Sequence, residues 1–204
     1  MKRQITYGMK AIRQILVLAI AAAASALSAN PQIGEPAPDF TLHSAAGNQH
    51  SLSDFKGKIV VLEWVNHGCP FVKKHYESGN MQRLQAEYTG KDIVWLSICS
   101  SAEGKQGYME PEAALEARNA AGAKATAYLI DETGEVGKLY GARVTPEMYV
   151  IDAEGNLVYR GAIDSIRSTD VADVERAHNY VTTAIEQLLE GQSVSVANTK
   201  AYGC

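Results

Sequence analysis

The chain has 204 residues, with 19 basic and 23 acidic side chains and a net charge of −4, a length suited to one domain with its own core. That acidic balance excludes a surface built to grip nucleic-acid phosphates. Three cysteines (Cys69, Cys99 and Cys204) are too few to staple such a domain, so the question is which of them is reactive.

Residues 1–29 carry Lys2, Arg3, Lys10 and Arg13 and no acidic residue, followed by an alanine-rich apolar run from Ile15 to Leu27. Basic start, short apolar middle and small-residue exit are the parts of a secretory signal peptide. The run falls short of the roughly 20 residues that span a bilayer. Residues 1–29 are therefore expected to be removed on export to the periplasm, with no membrane attachment afterwards. Without them 15 basic residues face 23 acidic ones.

The expected domain covers residues 30–191. Pro31 to Leu42 reads as an extended entry with a short strand, and Ser51–Phe55 as one helical turn. Ile59 to Val65 is a continuous apolar run broken only by Glu63, the signature of a strand buried on both faces. A helix is predicted from Pro70 to Tyr88, with proline at its first position, and a second buried strand from Asp92 to Ile98. Next come a Ser/Gly loop, a helix over 111–121, a strand at 128–130 and a short helix over 134–140. Met148–Ile151 and Leu157–Arg160 flank a turn and predict a hairpin. A last amphipathic helix is predicted over 170–190, and a polar, flexible tail over 192–204. The plan is α/β with a mixed sheet flanked by helices.

Cys69 lies in Asn66-His67-Gly68-Cys69-Pro70-Phe71-Val72, between strand and helix, where open α/β sheets place their sites. A cysteine at a helix N-terminus faces unpaired N–H groups and the positive dipole end, which favour thiolate over thiol. His67, Lys73 and Lys74 are expected to add positive potential.

The stretch Gly34-Glu35-Pro36-Ala37-Pro38-Asp39-Phe40-Thr41-Leu42, then Leu52-Ser53-Asp54-Phe55-Lys56-Gly57-Lys58, then Cys69-Pro70, resembles the redoxins. These are thioredoxin-fold proteins related to alkyl hydroperoxide reductase and thiol-specific antioxidant (AhpC/TSA). Cys69-Pro70-Phe71-Val72 and Tyr202-Gly203-Cys204 are similar to motifs of a peroxiredoxin-like subgroup. The resemblance implies a thioredoxin-like fold over about residues 32–190 and a thiol-dependent oxidoreductase, in redox homeostasis or antioxidant defence. Departures from the pattern bear on the chemistry. Val72 stands where thioredoxins carry the second cysteine of Cys-x-x-Cys. Asn66 stands where peroxiredoxins carry Thr or Ser, and Pro146 where they carry an arginine.

The resemblance also implies roles for other residues. Glu63, six positions before Cys69, matches the buried carboxylate that relays protons in thioredoxins; desolvation would raise its pKa. The alternative is a structural Glu63 paired with Lys58. Thr145-Pro146 matches the thioredoxin cis-proline, which turns the Thr145 backbone toward the cysteine, so Thr145, Pro146 and Pro70 are expected to line the substrate site.

Attack by Cys69 on a disulfide or a peroxide leaves a mixed disulfide or a sulfenic acid, and either needs a second thiol. Cys204, Cys99 or an external thiol could supply it, with Cys204 ranked first. Expected partners are a thiol or disulfide substrate (protein or small molecule) or a peroxide, together with an external reductant. No cofactor and no metal is expected. Competing readings are a Cu(I) carrier using His67, Cys69, His75 and Cys204, or a non-catalytic binding module.

Overall fold

The computed structural model describes residues 30–204, so the expected signal peptide lies outside the described residues. Seven strands form one mixed sheet: β1 (Thr41–Ser44), β2 (Gln49–Ser51), β3 (Val60–Trp64), β4 (Val94–Cys99), β5 (Ala127–Ile130), β6 (Glu147–Ile151) and β7 (Leu157–Gly161), in the order β2-β1-β5-β4-β3-β6-β7. β3, β4 and β5 run parallel, whereas β6, β7, β1 and β2 join antiparallel. The helices are α1 (Pro70–Glu77), α2 (Asn80–Thr89), α3 (Pro111–Ala120), α4 (Glu135–Tyr140) and α5 (Tyr180–Leu189).

Every residue of β3 and β4 is buried, as continuous apolar runs require in a sheet covered on both faces. Alternation divides them between two cores. Val61, Trp95 and Val150 pack with Val72, Met81, Leu84, Val181 and Ile185 of α1, α2 and α5. Val60, Leu62, Trp64, Leu96 and Tyr149 pack with Val136 and Tyr140 of α4. Each fully buried aliphatic side chain contributes about 1.5–3 kcal/mol, so β3 is rigidly held up to the residue where the chain turns toward Cys69.

Three expectations need correction. The helix predicted over 70–88 is two helices, because Gly79 adopts φ +73° and ends the first. The helix predicted from residue 170 begins only at Tyr180. Its N-cap Asn179 accepts a hydrogen bond from the Thr182 N–H at 2.9 Å, while Ser165 and Tyr180 N–H donate to the carbonyls of His178 and Ile163. Residues 178–180 are thus held extended against 163–165. The tail expected to be flexible is instead seated beside β7. Arg160 N–H donates to the Ala197 carbonyl and Thr199 N–H to the Arg160 carbonyl. The Thr199 hydroxyl lies 2.7 Å from the Tyr159 hydroxyl and accepts from Ala162 N–H at 2.9 Å. Backbone pairing and polar side-chain contacts, not an apolar periodic pattern, anchor it.

Candidate active site

Where β3 ends, the Asn66 side chain shapes the turn: its Oδ1 accepts the Gly68 N–H at 2.8 Å, and its Nδ2 donates to the Gln106 carbonyl at 3.3 Å. Cys69 follows as the N-cap of α1, with exposed Pro70 at the first helical position. The Cys69 side chain is fully buried. It is disulfide-bonded to Cys204, 135 residues away, with Cα atoms 5.9 Å apart.

The Thr145–Pro146 bond is cis. Thr145 N–H donates to the Cys204 carbonyl at 3.1 Å, and Cys204 N–H donates to the Thr145 carbonyl at 3.2 Å. The Cys69 sulfur lies 3.0 Å from that Thr145 carbonyl oxygen, an acceptor ready for a thiol proton when the disulfide is reduced. Gly203 passes so close to Thr145 that a Cβ there would overlap its backbone. The protein's own tail therefore occupies the backbone edge that the sequence assigned to an incoming substrate. A cleft of about 240 Å³, lined by Asn66, Ser101, Gln106, Arg143 and Thr145, opens onto Cys204, which is exposed.

Glu63 is fully buried. Its carboxylate accepts hydrogen bonds from Trp95 Nε1 (2.8 Å), the hydroxyls of Tyr76 and Ser97 (both 2.9 Å) and Gln85 Nε2 (3.0 Å). Burial raises its pKa, and these four neutral donors oppose the shift without cancelling it. Among the described residues neither cysteine hydrogen-bonds to it; it reaches the Cys69 helix through Tyr76. The pairing of Glu63 with Lys58 is not formed, since Lys58 pairs with Asp92 at the surface.

The basic neighbours divide. Lys73 is exposed, and burial lowers the pKa of His67, which sits between the rings of Tyr76 and Tyr128. Lys74 is fully buried and spends its ammonium elsewhere, donating to Asp164 at 3.2 Å and to the Ile166 carbonyl at 3.0 Å. His75, also buried, has its Nδ1 3.0 Å from Asn80 and its Nε2 3.8 Å from Asp164. Desolvation lowers its pKa to about 4, with Asp164 opposing and Lys74 adding to the shift. Among the described residues no group of three or more His, Cys, Asp or Glu could hold a metal ion. Cys99 is free and buried, its thiol donating to the Gly107 carbonyl at 3.4 Å.

Sequence reasoning missed Lys74, Asp164 and Tyr202 as one cluster. The Tyr202 hydroxyl donates to Asp164, and its ring packs on Phe71 with centroids 5.7 Å apart. No spacing rule links residues 90 positions apart; Tyr-Gly-Cys was the only trace.

Residues 33–160 match the model of the AhpC/TSA family. The chain is 32% identical over 130 residues to thioredoxin-like protein YneN of Bacillus subtilis, covering 61% of this chain and 68% of that one. It is 30% identical over 128 residues to thiol-disulfide oxidoreductase ResA of Geobacillus kaustophilus, covering 56% and 72%. An uncharacterized conserved protein from Geobacillus kaustophilus, 29% identical, superposes with a TM-score of 0.73 over 85% of this chain and 90% of that chain. A putative thiol:disulfide interchange protein DsbE from Chlorobium tepidum, 23% identical, shares the fold with a TM-score of 0.55 over 72% and 95%.

Proposed function

The chain belongs to the AhpC/TSA family of thioredoxin-like redox enzymes, and from that premise we propose that it exchanges disulfides through Cys69 and Cys204. The observation that carries this reading is the seat of Cys204, bonded to Cys69 and paired through its backbone with Thr145 before the cis-proline.

In the reduced enzyme the Cys69 thiolate, at the N-terminus of α1, attacks one sulfur of a substrate disulfide and expels the other as a thiolate. The Cys204 thiolate then attacks the Cys69 sulfur, forms the Cys69–Cys204 bond and releases the second substrate thiolate. Two thiols of an external reductant restore the dithiol and leave as a disulfide. Cys204 is the exposed sulfur of the oxidised pair, so the reductant attacks there and Cys69 departs as the thiolate. Glu63 acts as a positioning and proton-holding residue that works through Tyr76. Once the disulfide is reduced and Cys204 leaves the Thr145 backbone, Thr145, Pro146 and Pro70 form the substrate edge. Residues 1–29 carry a leader, residues 30–191 the redox domain, and the enzyme works outside the cytoplasm, where disulfides persist.

Peroxide reduction and an antioxidant role have weaker support. Asn66 holds the Cys69 turn through Gly68 and Gln106, and Pro146 carries no side-chain donor for a peroxide. Mass spectrometry of the reduced protein, treated separately with oxidised glutathione and with one equivalent of hydrogen peroxide, tests the reading. Wild type should form the Cys69–Cys204 bond from oxidised glutathione, and Cys204→Ser should accumulate glutathione on Cys69. Wild-type turnover by Cys204→Ser would overturn Cys204 as the resolving thiol, and reaction with peroxide alone would overturn disulfide exchange.

A further inference from the structure

We propose that Lys74, Asp164 and Tyr202 form a buried lock that positions the Cys204 thiol, so that disulfide formation is coupled to an ion pair on the nucleophile's helix. The inference rests on the reading of Cys204 as resolving thiol.

The lock joins three segments. Lys74 lies on α1, one turn beyond Cys69; Asp164 follows β7; Tyr202 stands two residues before Cys204. All three side chains are buried. Asp164 receives the Lys74 ammonium on one oxygen and the Tyr202 hydroxyl on the other, and the Ile166 N–H also donates to it at 3.0 Å. Lys74 completes its donors with the Ile166 carbonyl and faces the Tyr202 ring, 5.8 Å from its centroid. A buried ion pair adds little net stability over an apolar packing, because desolvation offsets the attraction. What it supplies here is direction, since each group accepts only one arrangement of the others.

Reach shows why the last anchor matters. Thr199 is fixed by Tyr159, Ala162 and Arg160. Five residues separate it from Cys204, a free reach of about 17 Å at roughly 3.4 Å per residue. With Tyr202 fixed, the free reach falls to two residues, about 7 Å. The same chain then presents its thiol to Cys69 at a much higher effective concentration. Gly203, which has no room for a Cβ against Thr145, closes the remaining gap. Lys74, Asp164 and Tyr202 touch neither reacting sulfur. They act through the tail and are positioning residues.

The experiment equilibrates the full chain with mixtures of reduced and oxidised glutathione, and follows resolution of a Cys69–glutathione intermediate. Wild type, Tyr202→Phe, Asp164→Asn and Cys204→Ser are compared. Tyr202→Phe keeps the ring on Phe71 and removes only the hydroxyl. It should lower the effective concentration of Cys204 about tenfold and slow resolution by a similar factor, the tenfold corresponding to about 1.4 kcal/mol. Urea unfolding of the oxidised and reduced forms supplies the control. A structural role alone lowers both forms alike and leaves the glutathione equilibrium unmoved, and that result overturns the lock. Should Asp164→Asn fail to fold, Tyr202→Phe decides by itself. Wild-type resolution by Cys204→Ser would instead sink the disulfide-exchange reading, whereas an unmoved Tyr202→Phe beside an inactive Cys204→Ser would sink only the lock.

Discussion

Two buried carboxylates reach helix α1, and they are satisfied in opposite ways. Glu63, on the central strand, accepts from an indole, two hydroxyls and an amide, all neutral. Asp164, beyond the last strand, accepts from an ammonium and a phenol. Neutral donors hold Glu63 in place without compensating its charge, so burial wins and its pKa rises. A cation ties Asp164 to α1 and, through Tyr202, to the tail. The first arrangement suits a group that keeps or releases a proton, and the second suits a clamp.

The largest expected effect comes from breaking the clamp at its cation. Lys74→Ala leaves Asp164 buried without its cation and should cost about 3–5 kcal/mol in a urea unfolding series. The double change Lys74→Met with Asp164→Leu removes both charges and should cost less than the single one. A loss below about 1 kcal/mol for Lys74→Ala would mean that the pair is not desolvated.

His75, beside the same aspartate, gives the comparison a pH axis. Its folded pKa of about 4 lies below the usual 6.5, so the unfolded chain binds the proton more readily. Stability is retained above pH 6.5 and falls as the pH drops toward 4. The loss between pH 7 and pH 5 is about 2 kcal/mol. His75→Gln should flatten that part of the stability profile; an unchanged slope would assign it to other groups.

Glu63 carries the opposite sign. With its folded pKa raised above 4.5, its favourable contribution is complete below that pH and is lost as the pH rises through the folded value. Glu63→Gln cannot ionise, so its stability relative to wild type should climb as the pH rises above 4.5. A relative decline over that range would show that the four donors overcome desolvation. The pH profile of Cys69 alkylation in the reduced protein should move as well if Glu63 holds a proton for the site.

The Glu63 side of this comparison was legible in the sequence and the Asp164 side was not. One acidic residue inside the apolar run 59–65 announces a buried carboxylate, and Pro70 after Cys69 announces a helix N-terminus. Local patterns of that kind also gave the 147–161 hairpin and the mixed sheet. From sequence Lys74 reads, beside Lys73, only as positive potential near Cys69, and Asp164 carries no signal; their contact exists only once β7 and α1 are packed together. The tail has no apolar period because it is held by backbone N–H and carbonyl groups along β7 and by two single side chains, Thr199 and Tyr202. Gly79 was visible, but nothing local distinguishes a helix-ending glycine from one tolerated inside a helix.

The smallest expected effect tests burial directly, through a second lysine–carboxylate pair. Lys58 and Asp92 approach to 2.6 Å, closer than the 3.2 Å of Lys74 and Asp164, but their side chains are 42% and 81% exposed. In water a short contact gains little, and the pair must still order two flexible side chains. Lys58→Ala should therefore cost under about 1 kcal/mol, and 1 M salt, with its Debye length near 3 Å, should erase most of that. The cost of Lys74→Ala should persist at the same salt concentration, because ions do not reach a fully buried ammonium. Equal salt sensitivity of the two variants would remove the distinction, and with it the reason for treating Asp164 as a clamp rather than as one more surface charge.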